Sequence, residues 1–208
     1  MSIPKIINQV DTKHKAIAIT FDDGPNPVYT PQVLDLFREV SGKATFFMIG
    51  EQMKKYPDIV STVSKEGHEI GNHTYTHSKL TTLTPEDCQK EVQLTEQLIR
   101  DMTGTRPVTF RPPYLDLDHE TSALIHSRSY SIIGALNMEA LDWEQPGVDH
   151  ILSKSRKHAM NGSVLLFHDG FGNRSQTVEA VRMLVAELSS KGYRLVTVSE
   201  LLELRAAT

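Results

Sequence analysis

The chain has 208 residues, 39% of them hydrophobic and 23% charged, with a formal net charge of -4 at pH 7. That length buries a proper core and suits one domain spanning 1–208, and the mild negative charge excludes the basic footprint of a nucleic-acid or anionic-membrane binder. Cys88, the single cysteine, excludes an intrachain disulfide and a thiolate zinc cluster, so any metal must be held by His, Asp or Glu.

Residues 1–10 lack the basic start and long apolar stretch of a signal peptide, and no apolar run reaches membrane-spanning length, so a soluble monomer is expected. A first strand covers 16–21, where large apolar residues alternate in Ile17-Ala18-Ile19-Thr20-Phe21. Asp22-Asp23-Gly24-Pro25 then turns the chain with two carboxylates side by side. Thr30-Pro31 opens a helix carrying Val33, Leu34 and Phe37, and strands follow at 44–49 and 68–71. Thr84-Pro85 opens a long helix that Gly104 closes, with Cys88, Val92, Thr95, Ile99 and Met102 at core spacing. Strands at 108–111, 130–136 and 163–168 lead to a helix after Ser175, with Val178, Val181, Val185 and Leu188 on one face, ending near Gly192. A seventh strand at 194–198 and a short helix opening at Ser199 finish the chain. Strand followed by helix, repeated to the end, predicts an α/β fold with a parallel sheet, either open and doubly wound or closed into a barrel.

In such folds the strand carboxyl ends carry the site, and reactive residues collect there. Asp22 and Asp23 follow the first strand, His73 and His77 the third, Arg111 the fourth, Asp142-Trp143 the fifth and His168-Asp169 the sixth. On a helical turn His73 and His77 would share one face and reach a single cation, with Asp23 as a third, anionic ligand. Two histidines and a carboxylate leave positions open for water and substrate, and zinc is the first expectation. Asp22 is then free to take a proton from water, and His168, emerging after Val164-Leu165-Leu166-Phe167, is a candidate general acid. Arg111 could hold a carboxylate through two hydrogen bonds, and the prolines of Arg111-Pro112-Pro113-Tyr114 fix the direction of the Tyr114 amide. Asp142 could orient either His168 or Arg111, and Trp143 offers either a flat apolar wall for a sugar ring or a core side chain.

In order, Thr20-Phe21-Asp22-Asp23-Gly24-Pro25, His73-Thr74-Tyr75-Thr76-His77, Arg111-Pro112-Pro113-Tyr114, Asp142-Trp143 and Leu166-Phe167-His168 resemble the five motifs of the polysaccharide deacetylases, the NodB homology domain or carbohydrate esterase family four. The resemblance implies a deformed, incomplete (β/α) barrel of about seven parallel strands. It implies metal-dependent removal of acetyl groups from a glycan, with an acetylated glycan as the partner and Zn2+ as the ion, or Co2+ or Ni2+ in its place. By position, Asp22 matches the family's catalytic base and His168 its acid, while Asp23, His73 and His77 match its metal ligands. Arg111 matches the residue that orients the base, Asp142 the one that tunes the acid and Tyr114 the backbone oxyanion donor. Trp143 and Leu166 match the apolar walls around the acetyl methyl.

N-acetylglucosamine in chitin oligomers or peptidoglycan is the expected substrate, and extracytoplasmic or cell-wall action follows if the chain is part of an exported protein. Hydrolysis of another amide or ester, such as a cyclic imide or acetylxylan, is an alternative, as is glycan binding without turnover. Leu115 departs from the glycine that many members carry, and Glu139-Ala140-Leu141 lacks their second aspartate. A glycoside hydrolase is disfavoured, because its two carboxyls stand about 5 to 10 Å apart across the scissile bond and adjacent residues in a tight turn do not. The sequon Asn72-His73-Thr74 is read as coincidence, since a sugar there would block His73.

Overall fold

The computed structural model describes residues 6–206. Seven strands, β1 (Ala16–Asp22), β2 (Thr45–Met48), β3 (Glu69–Asn72), β4 (Thr109–Phe110), β5 (Ser131–Ile132), β6 (Val164–His168) and β7 (Arg194–Leu195), pair in parallel. Their order is β5-β4-β3-β2-β1-β6, with β7 beside the start of β1. Eight helices flank them: α1 (Tyr29–Glu39), α2 (Gly50–Lys55), α3 (Pro57–Lys65), α4 (Pro85–Thr103), α5 (His119–Ser127), α6 (Val148–Lys157), α7 (Ser175–Ser190) and α8 (Val198–Glu203).

The sheet curls into an incomplete barrel, which settles the choice the strand pattern left open. Its gap lies between β5 and β6, and residues 7–10 run into it. Ile7 N–H donates to Ile132 O (2.9 Å) and Gly134 N–H to Ile7 O (3.0 Å) on one side; Val10 N–H donates to Gly162 O (2.8 Å) and Val164 N–H to Asn8 O (3.2 Å) on the other.

Strand β1 is buried along its whole length, and its two faces do different work. Ile17, Ile19 and Phe21 point into the main core, with Phe37 of α1 and Val181 and Leu184 of α7. Ala16 and Ala18 face the barrel interior, with Phe47, Val164 and Val198. Because side chains alternate along a strand, Thr20 and Asp22 fall on this inner face, where the small alanines leave room for the large side chain of Arg111. Gly71 on β3 serves the same space, since a Cβ there would stand 2.4 Å from the Phe47 ring.

Several sequence-predicted elements are shorter than expected. The fourth, fifth and seventh strands shrink to two residues each, because the barrel bends away and the chain leaves the ladder for the loops of the site. The last helix starts at Val198 rather than Ser199, capped by Thr197 and Glu200, which bond reciprocally to each other's backbone. Helices α2, α3, α5 and α6 fit the repeat of strand and helix, but no start or bounds were assigned to them from the sequence. Gly50 opens α2 without a side-chain cap, and α2 is only six residues long, so neither punctuation nor periodicity announces it. Among the described residues no helix is long and apolar enough to cross a membrane.

Candidate active site

The strand ends bring Asp22, Asp23, His73, His77, Tyr114, Trp143, Leu166 and His168 to one cleft of about 380 Å³, with Pro112, Leu115 and Met138 completing its lining. Arg111 and Asp142 lie buried behind it. Asp22 and His168 end adjacent strands in direct register, so parallel pairing alone sets them side by side.

Arg111 is fully buried in the barrel. Its Nη1 donates to Asp22 Oδ1 and Thr20 Oγ1, both at 2.7 Å, while Nε and Nη2 donate to the carbonyls of Ile133 (3.2 Å) and Gly134 (2.8 Å). The guanidinium carbon stands 4.3 Å from the centroid of the Phe47 ring. The expected two-bond grip on a carboxylate is therefore corrected to one. Strand-end carbonyls at the barrel gap take the other donors, and Asp22 Oδ2 is left facing the histidines, 3.8 Å from His73 Nε2.

His73 and His77 do not lie on a helical turn. They sit in an irregular loop after β3, with Thr74 and His77 in left-handed backbone at φ 65 and φ 64. Asn72 holds this loop: its Oδ1 accepts from Thr74 N–H (2.9 Å), and its Nδ2 donates to Val92 O (2.9 Å) and Tyr130 Oη (3.1 Å). Completely buried and so engaged, Asn72 is closed to glycosylation, in agreement with reading the sequon as coincidence. Thr76 and Tyr75 N–H groups donate to Glu91 of α4, fixing the outer part of the loop.

One donor atom from each of Asp23, His73 and His77 lies within 4.8 Å of the others. His73 Nδ1 is 2.6 Å from the Arg111 carbonyl, which only accepts, so the proton sits on Nδ1 and Nε2 presents a lone pair. That lone pair points toward Asp23 Oδ1 at 3.4 Å, and His77 Nε2 is 3.1 Å from the same oxygen. Asp23 Oδ1 is nevertheless buried without a hydrogen-bond partner. Electron-rich atoms that face one another with no proton aligned between them need a cation. Donors about 2.0–2.1 Å from a tetrahedral zinc stand about 3.3 Å from one another, so the residues fit such an ion. Burial pushes the Asp23 carboxyl up, and it takes positive charge to outweigh that: hydrogen bonds from protonated His73 and His77 rings would hold the group well below the usual carboxylate range, and a metal cation in place of those protons acts in the same sense.

Opposite this group, Asp142 accepts from the ring Nδ1 of His168 (2.8 Å), from the His168 N–H (2.8 Å) and from Thr177 Oγ1 of α7 (3.0 Å). Of the two partners the sequence left open for Asp142, His168 is the one it meets. Burial lowers the His168 pKa, but the hydrogen bond and charge of Asp142 outweigh it and raise the group above the ordinary imidazole value. Trp143 belongs to the rim rather than the core, packing edge-on at 5.3 Å against His168.

Tyr114 and Leu115 both adopt left-handed backbone, φ 59 and φ 53. The N–H groups of Leu115 and Asp116 close onto Pro112 O and Pro113 O, leaving the Tyr114 N–H outside that pair of bonds.

Sequence reasoning passed over several residues that shape the site. Thr20 was quoted without a role, yet it receives Arg111 and donates to Leu165 O. Thr177 and Arg174 reach the site from α7 and the turn before it, and nothing local marks them. Asp169 is fully buried, with the Thr30 hydroxyl donating to Oδ2 and Oδ1 unpartnered. Burial, with the nearby charges of Asp23 and Asp22, pushes its carboxyl up to about 7 against the Thr30 bond. Phe171 lies beside His77, and its one visible signal was its place between Gly170 and Gly172 three residues after His168.

A sequence profile described as polysaccharide deacetylase matches residues 9–133. A peptidoglycan-N-acetylglucosamine deacetylase of Bacillus cereus is 42% identical over 195 residues, covering 93% of this chain and 91% of that protein. A chitooligosaccharide deacetylase of Azorhizobium caulinodans is 31% identical over 207 residues, covering 94% of this chain and 98% of its own length. Among solved structures, that of a peptidoglycan N-acetylglucosamine deacetylase in complex with an N-oxidanyl-benzamide superposes with a TM-score of 0.89 at 30% identity, covering 94% of this chain and 91% of that one.

Proposed function

This chain belongs to the polysaccharide deacetylase family, and from that premise we propose that it is a single catalytic domain that hydrolyses the N-acetyl group of N-acetylglucosamine units in a glycan, with the metal site and acid–base pair described above. The observation that carries this reading is the pairing of Asp22 and His168 across one cleft, each held by its own buried partner, beside three donors that converge without a proton between them. The two relatives described above are named for deacetylation of peptidoglycan N-acetylglucosamine and of chitooligosaccharides.

Asp23, His73 and His77 would hold the ion, Zn2+ before Co2+ or Ni2+. The cation, when bound, supplies Lewis acidity at the acetyl carbonyl and at water. Asp22, fixed in direction by Arg111, takes the proton from the attacking water. The Tyr114 N–H donates to the oxygen that gains charge as the carbonyl carbon becomes tetrahedral. His168 carries its proton on Nε2, because Nδ1 is committed to Asp142, and gives it to the departing amine. Trp143 and Leu166 enclose the methyl group and keep bulk water from the carbonyl.

The test is acetate release from N-acetylated chitin oligosaccharides, peptidoglycan and acetylxylan, after chelation and again after zinc is restored. Release from the N-acetylated glycans, abolished by chelation and recovered with zinc, is expected. Undiminished turnover in the chelated protein, or release from acetylxylan alone, would overturn the proposal.

A further inference from the structure

Asp169 is a carboxyl that the chemistry above leaves unused. It is the residue after His168, stands outside the lining of the cleft and is completely buried. What surrounds it is the turn that carries Asp22 and Asp23. The Asp169 and Gly170 N–H groups both donate to Asp22 O, at 3.2 and 3.3 Å. The Asp169 side chain lies so close against Gly24 that a Cβ on that glycine would stand 2.6 Å from Oδ1 and 2.8 Å from Oδ2. Oδ2 accepts from the hydroxyl of Thr30, completely buried in the first turn of α1, and the same hydroxyl oxygen accepts from the Asn26 N–H at 2.8 Å. One carboxyl group thus touches the turn at Gly24 and ties it through Thr30 to Asn26.

That turn needs holding. Asp23 has left-handed backbone, φ 73, which a residue with a side chain keeps only where its surroundings fix it. The fixing comes from both neighbours of β1. On the β2 side Gly24 O accepts from the Ile49 N–H at 3.0 Å. On the β6 side Asp169 and Gly170 close over the turn, where a Cβ on Gly170 would stand 2.0 Å from Asp23 O. The backbone of Asp23 sets where its Oδ1 points, 3.4 Å from His73 Nε2 and 3.1 Å from His77 Nε2. Metal–donor distances tolerate only about 0.2 Å, so a small rotation of the turn would disperse the set.

We propose that Asp169 is a positioning residue for the metal set: its carboxyl, braced by Thr30, holds the Asp23-Gly24 turn in the backbone that aims Asp23 at His73 and His77. Because it directly follows His168, it also locks that turn to the strand bearing the acid. The inference rests on the reading of Asp23, His73 and His77 as metal ligands. Oδ1 has no hydrogen-bond partner and Oδ2 accepts from a neutral hydroxyl, so the place demands one accepting oxygen and the right shape, and asparagine supplies both.

The test measures zinc affinity by titration calorimetry, well below each unfolding midpoint, in the wild type, Asp169→Ala, Asp169→Asn and Thr30→Val. Turnover of tetraacetylchitotetraose is followed at saturating zinc. Asp169→Ala should weaken zinc binding about tenfold and lower kcat with KM unchanged, because Asp169 lies outside the cleft lining. Asp169→Asn should restore most of both. Thr30→Val keeps the shape and withdraws the donor, so it should weaken zinc binding in the same direction, and it decides the matter if Asp169→Ala does not fold. Lower unfolding midpoints with wild-type zinc affinity would make Asp169 a support of the fold alone and overturn the positioning role. So would an asparagine variant as weak in zinc as the alanine one. A wild type that takes up no zinc overturns the metal reading and the positioning role with it, whereas unchanged affinity in the variants of a zinc-binding wild type overturns the positioning role only.

Discussion

Replacing Asp22 with alanine should unfold the protein more easily than replacing it with asparagine, even though both remove the proposed base. Arg111 is completely buried, and among the described residues its one anionic partner is Asp22, 2.7 Å away. At an effective dielectric constant of about 20, two charges at that separation attract by about 6 kcal/mol, most of which offsets the desolvation of the two ions. Removing one partner of a buried pair typically costs about 3–5 kcal/mol, because the other charge is left behind. Thr20 Oγ1, two carbonyls and the Phe47 ring still receive the guanidinium, so the lower end, about 3 kcal/mol, applies to Asp22→Ala. Asparagine keeps an oxygen in place of Oδ1 and loses about 1–2 kcal/mol. Urea unfolding at pH 7 should show both losses as lower midpoints at constant m-value, and for a chain of this size 3 kcal/mol corresponds to roughly 6–12 °C in Tm. Turnover should drop about 10²- to 10⁴-fold in both variants. If alanine and asparagine lower the midpoint equally, the amide oxygen does not stand in for Oδ1; if neither lowers it, Arg111 is not balanced by Asp22 in the folded state and the argument fails.

Two further outcomes follow from the site. His168 acts while protonated, and Asp142 raises its pKa, so activity persists below the folded-state value and disappears as pH rises through it. Asp142→Asn should move the alkaline limb of the kcat profile to lower pH and remove part of the about 10²- to 10⁴-fold that a general acid supplies; an unmoved limb would show that His168 titrates independently of Asp142. Gly170→Ala should destabilise the protein by about 1–3 kcal/mol, since its Cβ would lie 2.0 Å from the Asp23 carbonyl oxygen, an atom of the backbone that cannot swing aside. A wild-type Tm together with wild-type zinc affinity would contradict that contact.

Much of the site was legible along the chain because its residues are local to strand ends. Asp22 and Asp23 close an alternating apolar strand before a Gly-Pro turn, and His168 closes the unbroken apolar run Val164-Leu165-Leu166-Phe167, so local pattern is enough to locate them. The strands that proved shorter lie where the barrel curls and the ladder stops. There the backbone is satisfied by loops and by residues 7–10, which no local pattern announces. His73 and His77 were paired for the wrong reason: spacing suggested a helical turn, whereas left-handed residues and the Asn72 side chain bring their rings together.

By itself the sequence determined which residue types stand at the carboxyl ends of the strands, and in what order, since that depends on alternation and punctuation along a few residues. Tertiary structure alone decided what each of them faces. Arg111 takes Asp22 with one bond because the curl of the sheet brings the Ile133 and Gly134 carbonyls to its other donors. Asp142 meets His168 rather than Arg111 because the chain after β5 crosses to β6 and α7. Phe171 reaches His77 across almost a hundred residues of chain because β1, which ends in the Asp22-Asp23 turn, lies between β2 and β6. Contacts of that kind are set by strand order and barrel closure, which short-range patterning does not encode.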